Sequence, residues 1–155
     1  MILSDREILA AIARNALSIT PKPSAEAWSS TAVDLRLAKQ LVIWKRPGGH
    51  GVEAVVCPSS PDYDFEVVRN TYSERIEITA DGFTFKSQSF LLGWTLEKIR
   101  LPHQSRLAAR VEGKSSLARL GVGVHITAPR YIPVLDSSRA ILNIQAAHCN
   151  LKCGM

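Results

Sequence analysis

Residues 110–128 read RVEGKSSLARLGVGVHITA, and the two halves of this stretch obey different rules. In the second half Val122, Val124 and Ile126 alternate with other residues, the period of a strand buried on one face. Those three side chains are read as core. In the first half Gly113-Lys114-Ser115-Ser116 and Arg119 lie between two glycines, Gly113 and Gly121. A backbone that bends at both glycines around hydroxyls and two cationic side chains suits an anion, most obviously a polyphosphate. It is not a Walker A loop. That motif, G-x-x-x-x-G-K-[ST], needs a glycine where this chain has Ala108.

Outward from this stretch, short strands dominate. Val33, Leu35 and Leu37 alternate with Asp34 and Arg36, and Leu41 and Ile43 extend the pattern to Pro47-Gly48-Gly49. Further strands are expected at 52–56, 76–79, 83–85 and 90–92, and another through Leu107, Ala109 and Val111. Asp81-Gly82 has the composition of a hairpin turn. The polar, proline-containing segment 57–74 reads as an excursion or lid. At the N-terminus Ser4-Asp5-Arg6-Glu7 has the form of a capping box. Ile8, Leu9, Ile12 and Ala13 follow as the apolar stripe of a short helix ending near Asn15. Leu17-Ser18-Ile19 reads as extended, and residues 20–24, with Pro21 and Pro23, as a loop. One mainly β domain over residues 1–155, a barrel or sandwich with one N-terminal helix, accounts for the pattern.

Composition narrows the function classes. The 155 residues are 46% apolar, ordinary for a globular chain. No apolar run approaches the roughly 18 residues of a membrane span. No basic-then-apolar leader is visible, so cytoplasm is the expected location. The net charge of +5 is scattered rather than blocked, which fits a solvated surface better than a nucleic-acid stripe. Three cysteines do not make a disulfide framework. His148, Cys149 and Cys153 form only one C-x3-C pair, too little for zinc, and no metal site is expected. Cys57 is read as a small half-buried residue rather than a nucleophile.

The residues also resemble a known family. Met1-Ile-Leu-Ser-Asp-Arg-Glu-Ile8, Ile19-Thr-Pro-Lys-Pro23, Val33-Asp-Leu-Arg-Leu37 and Phe90-Leu-Leu-Gly-Trp-Thr-Leu-Glu97 are similar to segments of the dCTP deaminases. These belong to the trimeric dUTPase-like superfamily. The specific part is Gly113-Lys-Ser-Ser-Leu-Ala-Arg-Leu-Gly121, followed by Val124-His-Ile-Thr-Ala128. The resemblance implies a distorted β-barrel of the β-clip kind, assembled as a homotrimer with sites shared between subunits. It implies hydrolysis of dCTP to dUTP and ammonia, in some members followed by cleavage of dUTP to dUMP and pyrophosphate. No catalytic zinc is implied, and the H-x-E…P-C-x-x-C pattern of zinc deaminases is missing from the sequence. Magnesium is expected to arrive on the nucleotide rather than in a protein cage. By position, Lys114, Ser115 and Ser116 are expected at the triphosphate or the catalytic water. Arg119 is expected at the reacting end of the cytosine, and backbone groups of Ile126 and Ala128 at the base edge. His125 matches a family position and is read as a supporting histidine, not a general base.

After Pro129 the resemblance breaks. The family's catalytic glutamate lies in a strand with a pattern like G-x-I-x-L-E, and Arg139-Ala-Ile-Leu-Asn143 stands there instead, with Asn143 at the glutamate position. The family's acidic residue after the Thr-Ala segment falls on Ile132 or Asp136, depending on the gap. No Asp or Glu follows Asp136. The C-terminal part is thus expected to be incomplete relative to the family, through an altered reading frame or truncation near codon 130. Three readings follow: a dCTP deaminase, a bifunctional deaminase and diphosphatase, or a nucleotide-binding or assembly homologue without turnover.

Overall fold

The N-terminal helix forms where its capping box places it. In the computed structural model, which describes residues 1–45, 56–126, 130–131, 141–146 and 151–153 with side chains through Val124, helix α1 spans Asp5–Ala13. The Ser4 hydroxyl accepts the Glu7 N–H at 3.4 Å, and the Glu7 carboxylate accepts the Ser4 N–H at 2.8 Å. Two otherwise orphaned donors are thereby satisfied. The Ser4 backbone N–H, and secondarily its hydroxyl, hold the Glu7 carboxyl below its ordinary pKa. A depressed carboxyl stabilises the fold above its unfolded pKa, and that contribution is lost as pH falls through the lowered value. Ser4→Ala is expected to lower unfolding free energy by about 1 kcal/mol, read from the urea midpoint. The buried face of α1 is Ala11 with Ile8 and Ile12 packed beside it, whereas Leu9 is exposed. The expected stripe is therefore rotated by part of a turn.

Eight residues, Leu37–Trp44, form strand β2, after the short β1 at Ser18–Thr20. The alternation beginning at Val33 is not all strand. Val33 makes only an isolated bridge to Trp28, made in part by the Asp34 N–H donating to the Ala27 carbonyl at 2.7 Å. Within 57–74, helix α2 covers Phe65–Tyr72, where an excursion is expected from the prolines. Asp64 caps it, its Oδ1 accepting the Glu66 and Val67 N–H groups at 2.8 and 3.3 Å. The break at 47–49 and residues 52–55 of the strand predicted at 52–56 lie outside the described residues, while Val56 is exposed and in no strand.

The remaining strands are β3 (Ser73–Glu77), β4 (Phe83–Phe85), β5 (Ser89–Thr95), β6 (Lys98–Arg100) and β7 (Ala109–Arg110). Beyond helix α3 (Ser115–Arg119) come β8 (Val122–Ile126), β9 (Arg130–Tyr131), β10 (Ile141–Ala146) and β11 (Leu151–Cys153). The main sheet has the order β3-β2-β5-β10-β8, and three two-stranded pairs, β1-β6, β4-β11 and β7-β9, surround it. No closed barrel is traced among the described residues. The turn at Asp81-Gly82 forms, with Gly82 at φ 85 and its N–H on the Thr79 carbonyl at 2.9 Å. The strands on either side of it part, however: β3 pairs with β2 and β4 with β11. It is a corner between sheets rather than a long hairpin.

Two apolar clusters hold these layers. Leu41, Ile78, Phe85 and Leu91 bury against one another, joining β2, β4 and β5. Ala11, Leu17, Ile99 and Leu101 form the second cluster and fasten α1 to β6. In β5 the inward positions are Leu91, Gly93 and Thr95, the period of a strand with one face against core. Glu97 is 1% exposed and belongs to neither apolar cluster.

Candidate nucleotide site

The sequence GKSSLAR folds as a non-helical approach, with Lys114 extended rather than bent at Gly113, running into the short helix α3 beside a strand. Gly113 lies so close to β8 that a Cβ built there would stand 3.2 Å from the Val124 Cβ. A side chain at this position forces Val124 to move, which accounts for glycine here. Lys114 is the N-cap of α3, and its carbonyl accepts the Leu117 and Ala118 N–H groups at 3.0 and 3.1 Å. The N–H groups of Ser115 and Ser116 precede these first intrahelical bonds. Gly121, at φ 78, ends the helix and turns the chain into β8.

Ser115 and Arg119 are four residues apart, so they share one face of the helical turn. Both are exposed, as is Ser116. Among the described residues no ion pair involves Arg119. Lys114 is different: its Nζ meets Asp34 Oδ2 at 2.5 Å. Nearby, Arg110 Nε pairs with Glu112 Oε1 at 3.1 Å, both side chains largely in water. The resulting surface carries two hydroxyls, one guanidinium and one ammonium already matched to a carboxylate. Such groups hydrogen-bond phosphate oxygens with charge assistance.

The position of Asn143 follows from strand register. Among the described residues β8 ends the main sheet with β10 as its neighbour, and Asn143 stands opposite His125 on that side and opposite Leu92 of β5 on the other. Ile126 is paired with Leu142. The segment carrying Lys114, Ser115, Ser116 and Arg119 thus leads directly into the strand that flanks Asn143. Ala128 lies outside the described residues, as do the side chains of Ile126 and Asn143. The same holds for His148, Cys149 and the Cys153 side chain.

Cys57 is exposed, not half-buried as its apolar character suggests. Its thiol lies 3.3 Å from the Ser59 hydroxyl, which, with Ser59 and Ser60 backbone groups, lowers its pKa. An open depression of about 570 Å³ is lined by His103, Gln104, Arg106, Leu107 and Ala108, none of which is a predicted site residue.

Two acidic residues outside the predicted site organise the region. Asp34 holds Lys114, and Glu97 holds Arg36, two residues further along the same segment. Glu97 Oε1 accepts Arg36 Nε at 2.7 Å and Oε2 accepts the Arg36 N–H at 2.8 Å. The available signal was the alternation Asp34, Arg36 on the polar side of Val33, Leu35 and Leu37. Nothing local names their partners, which are distant in sequence.

The profile of the dCTP deaminase-like family matches residues 2–152. The chain belongs to the dCTP deaminase-like family. It is 35% identical over 135 residues to the dCTP deaminase of Marinomonas sp. (strain MWYL1), which covers 86% of this chain and 66% of that protein. It is 37% identical over 131 residues to a Halobacterium salinarum protein named dCTP deaminase, dUMP-forming, covering 83% of this chain and 61% of the relative. The chain thus spans about two thirds of the length of the curated relatives it matches. In fold it is similar to the crystal structure of 2'-deoxycytidine 5'-triphosphate deaminase from Agrobacterium tumefaciens. That match has a TM-score of 0.68 at 19% identity, and covers 99% of this chain and 44% of the other. The dCTP deaminase-like match extends past Pro129, where the motif resemblance breaks. No helix among the described residues is long and apolar enough to cross a membrane.

Proposed function

We propose that residues 113–119 bind the triphosphate of dCTP and that the reaction served by this site is hydrolytic deamination to dUTP and ammonia. The observation that carries the reading is the seating of Gly113, next to Lys114 and Ser115 in sequence, on β8, one strand from Asn143. Lys114, Ser115 and Ser116 supply donors to phosphate oxygens. Arg119, planar and permanently charged, orients groups at the reacting end of the base. Backbone groups of Ile126 and Ala128 read the base edge. Magnesium comes with the triphosphate as part of the substrate, and the working assembly is a homotrimer in the cytoplasm.

The chemistry sets a demand on Asn143. Water attacking C4 of the cytosine must lose a proton, and the departing ammonia must gain one. A carboxylate can do both, whereas an amide near neutral pH can do neither. With Asn143 at the glutamate position, binding is retained and turnover is slow. This observation favours a second reading, a nucleotide-binding or assembly homologue with no turnover. The diphosphatase step is the further alternative, supported by the name of the Halobacterium salinarum relative.

Incubation with dCTP while ammonia, dUTP and dUMP are followed separates the readings. Slow release of ammonia with dUTP, in equal amounts, is the expected result, and dUMP in place of dUTP identifies the bifunctional form. Saturable dCTP binding without any ammonia supports the silent homologue and sinks the enzyme reading.

A further inference from the structure

We propose that Asp34 is an internal counter-ion of Lys114, which an incoming polyphosphate must displace, and that it thereby limits the affinity of the site for anions. The inference rests on the reading of residues 113–119 as a phosphate site and adds a residue that the reading does not contain. Lys114 Nζ lies 2.5 Å from Asp34 Oδ2, while the two side chains keep 60% and 52% of their exposure. The pair is therefore reachable by solvent and by a ligand, and is weak enough to exchange. A lysine suits such an exchange, since its ammonium is a point charge on a flexible stem.

The carboxylate does not move as freely. The Asp34 N–H is tied to the Ala27 carbonyl at 2.7 Å. Two residues later Arg36 is held from both its N–H and its Nε by the buried Glu97, and the Leu96 N–H bonds the Arg36 carbonyl at 2.7 Å. Asp34 thus sits on a strut fixed at both ends. When Lys114 turns to a phosphate, the Asp34 charge stays close to where the ion pair was. It opposes anion binding twice, by competing for the ammonium in the free protein and by repelling phosphate in the complex. Ligands that also engage Ser115, Ser116 and Arg119 overcome this opposition more readily than those that reach Lys114 alone.

The test uses inorganic tripolyphosphate as the probe, titrated into wild type, Asp34→Asn and Lys114→Met at fixed salt. Asp34→Asn is nearly isosteric and keeps the backbone bond to Ala27. It is expected to tighten tripolyphosphate binding by about three- to fivefold, the scale of an exposed ion pair, whereas Lys114→Met weakens it. In the ligand-free protein the ¹⁵Nζ resonance of Lys114 is expected to shift in Asp34→Asn. Tripolyphosphate should shift it in wild type as well. Unchanged or weaker binding by Asp34→Asn, with binding still lost in Lys114→Met, overturns the counter-ion role and leaves the phosphate site standing. An unmoved Lys114 resonance in Asp34→Asn also overturns it. Tripolyphosphate binding that is indifferent to Lys114→Met defeats the site reading, and this proposal with it.

Discussion

Asn143→Glu is expected to raise the rate of dCTP deamination by about 10²–10⁴-fold, the usual contribution of a positioned general acid–base group. Residue 143 lies in β10, between His125 of β8 and Leu92 of β5, so it is fixed by hydrogen-bonded strands on both sides. A carboxylate introduced there comes on a rigid element, as a catalytic group requires. The gain should appear in kcat, because proton transfer acts on the chemical step, while the dissociation constant for dCTP changes little. Steady-state ammonia release by both proteins, at saturating dCTP, measures it. An unchanged rate would contradict residue 143 as the place of the general acid–base group.

Arg36→Met is expected to lower unfolding free energy by about 3 kcal/mol, near the lower end of the penalty for removing one partner of a buried charge. Glu97 is 1% exposed, whereas the Arg36 side chain keeps 60% of its exposure. Removing the guanidinium leaves Oε1 without its 2.7 Å donor, while Oε2 keeps the Arg36 backbone N–H. That surviving bond explains the choice of the lower end. The double replacement Arg36→Met with Glu97→Leu should recover only part of the loss. It removes the stranded charge but orphans the Arg36 N–H, itself a penalty of about 1–3 kcal/mol. Urea unfolding monitored by tryptophan fluorescence gives both values. A loss below about 1 kcal/mol for the single variant would show that solvent already satisfies Glu97.

What could be read from the sequence was governed by distance along the chain. The capping box at Ser4 and Glu7 is local chemistry, and it formed as read. The turn at Gly82 is equally local, but the separation of β3 from β4 depends on which strands they meet, and a dipeptide cannot specify that. Helix α2 was hidden because Pro58 and Pro61 marked the segment as loop, although Asp64 ahead of Phe65 was an available N-cap signal. α3 has no sequence signal for the opposite reason. It is five residues long, too short for any apolar period to show.

The candidate site divides in the same way. Lys114, Ser115, Ser116 and Arg119 are contiguous, so both their chemistry and the family likeness were visible in one motif. The main-sheet order, which puts β10 between β5 and β8, was needed to bring Asn143 beside His125. The pairing of Lys114 with Asp34 was invisible for a similar reason. Alternation marks Asp34 as polar-facing but does not say what it faces.

Whether residues 113–119 hold the triphosphate of dCTP, as proposed, is measured by calorimetric titration of dCTP into wild type and Lys114→Met. Saturable binding by wild type at one nucleotide per chain, weakened about tenfold or more by Lys114→Met, is the predicted result. Absence of saturable binding in wild type, or equal binding by the two proteins, would contradict it.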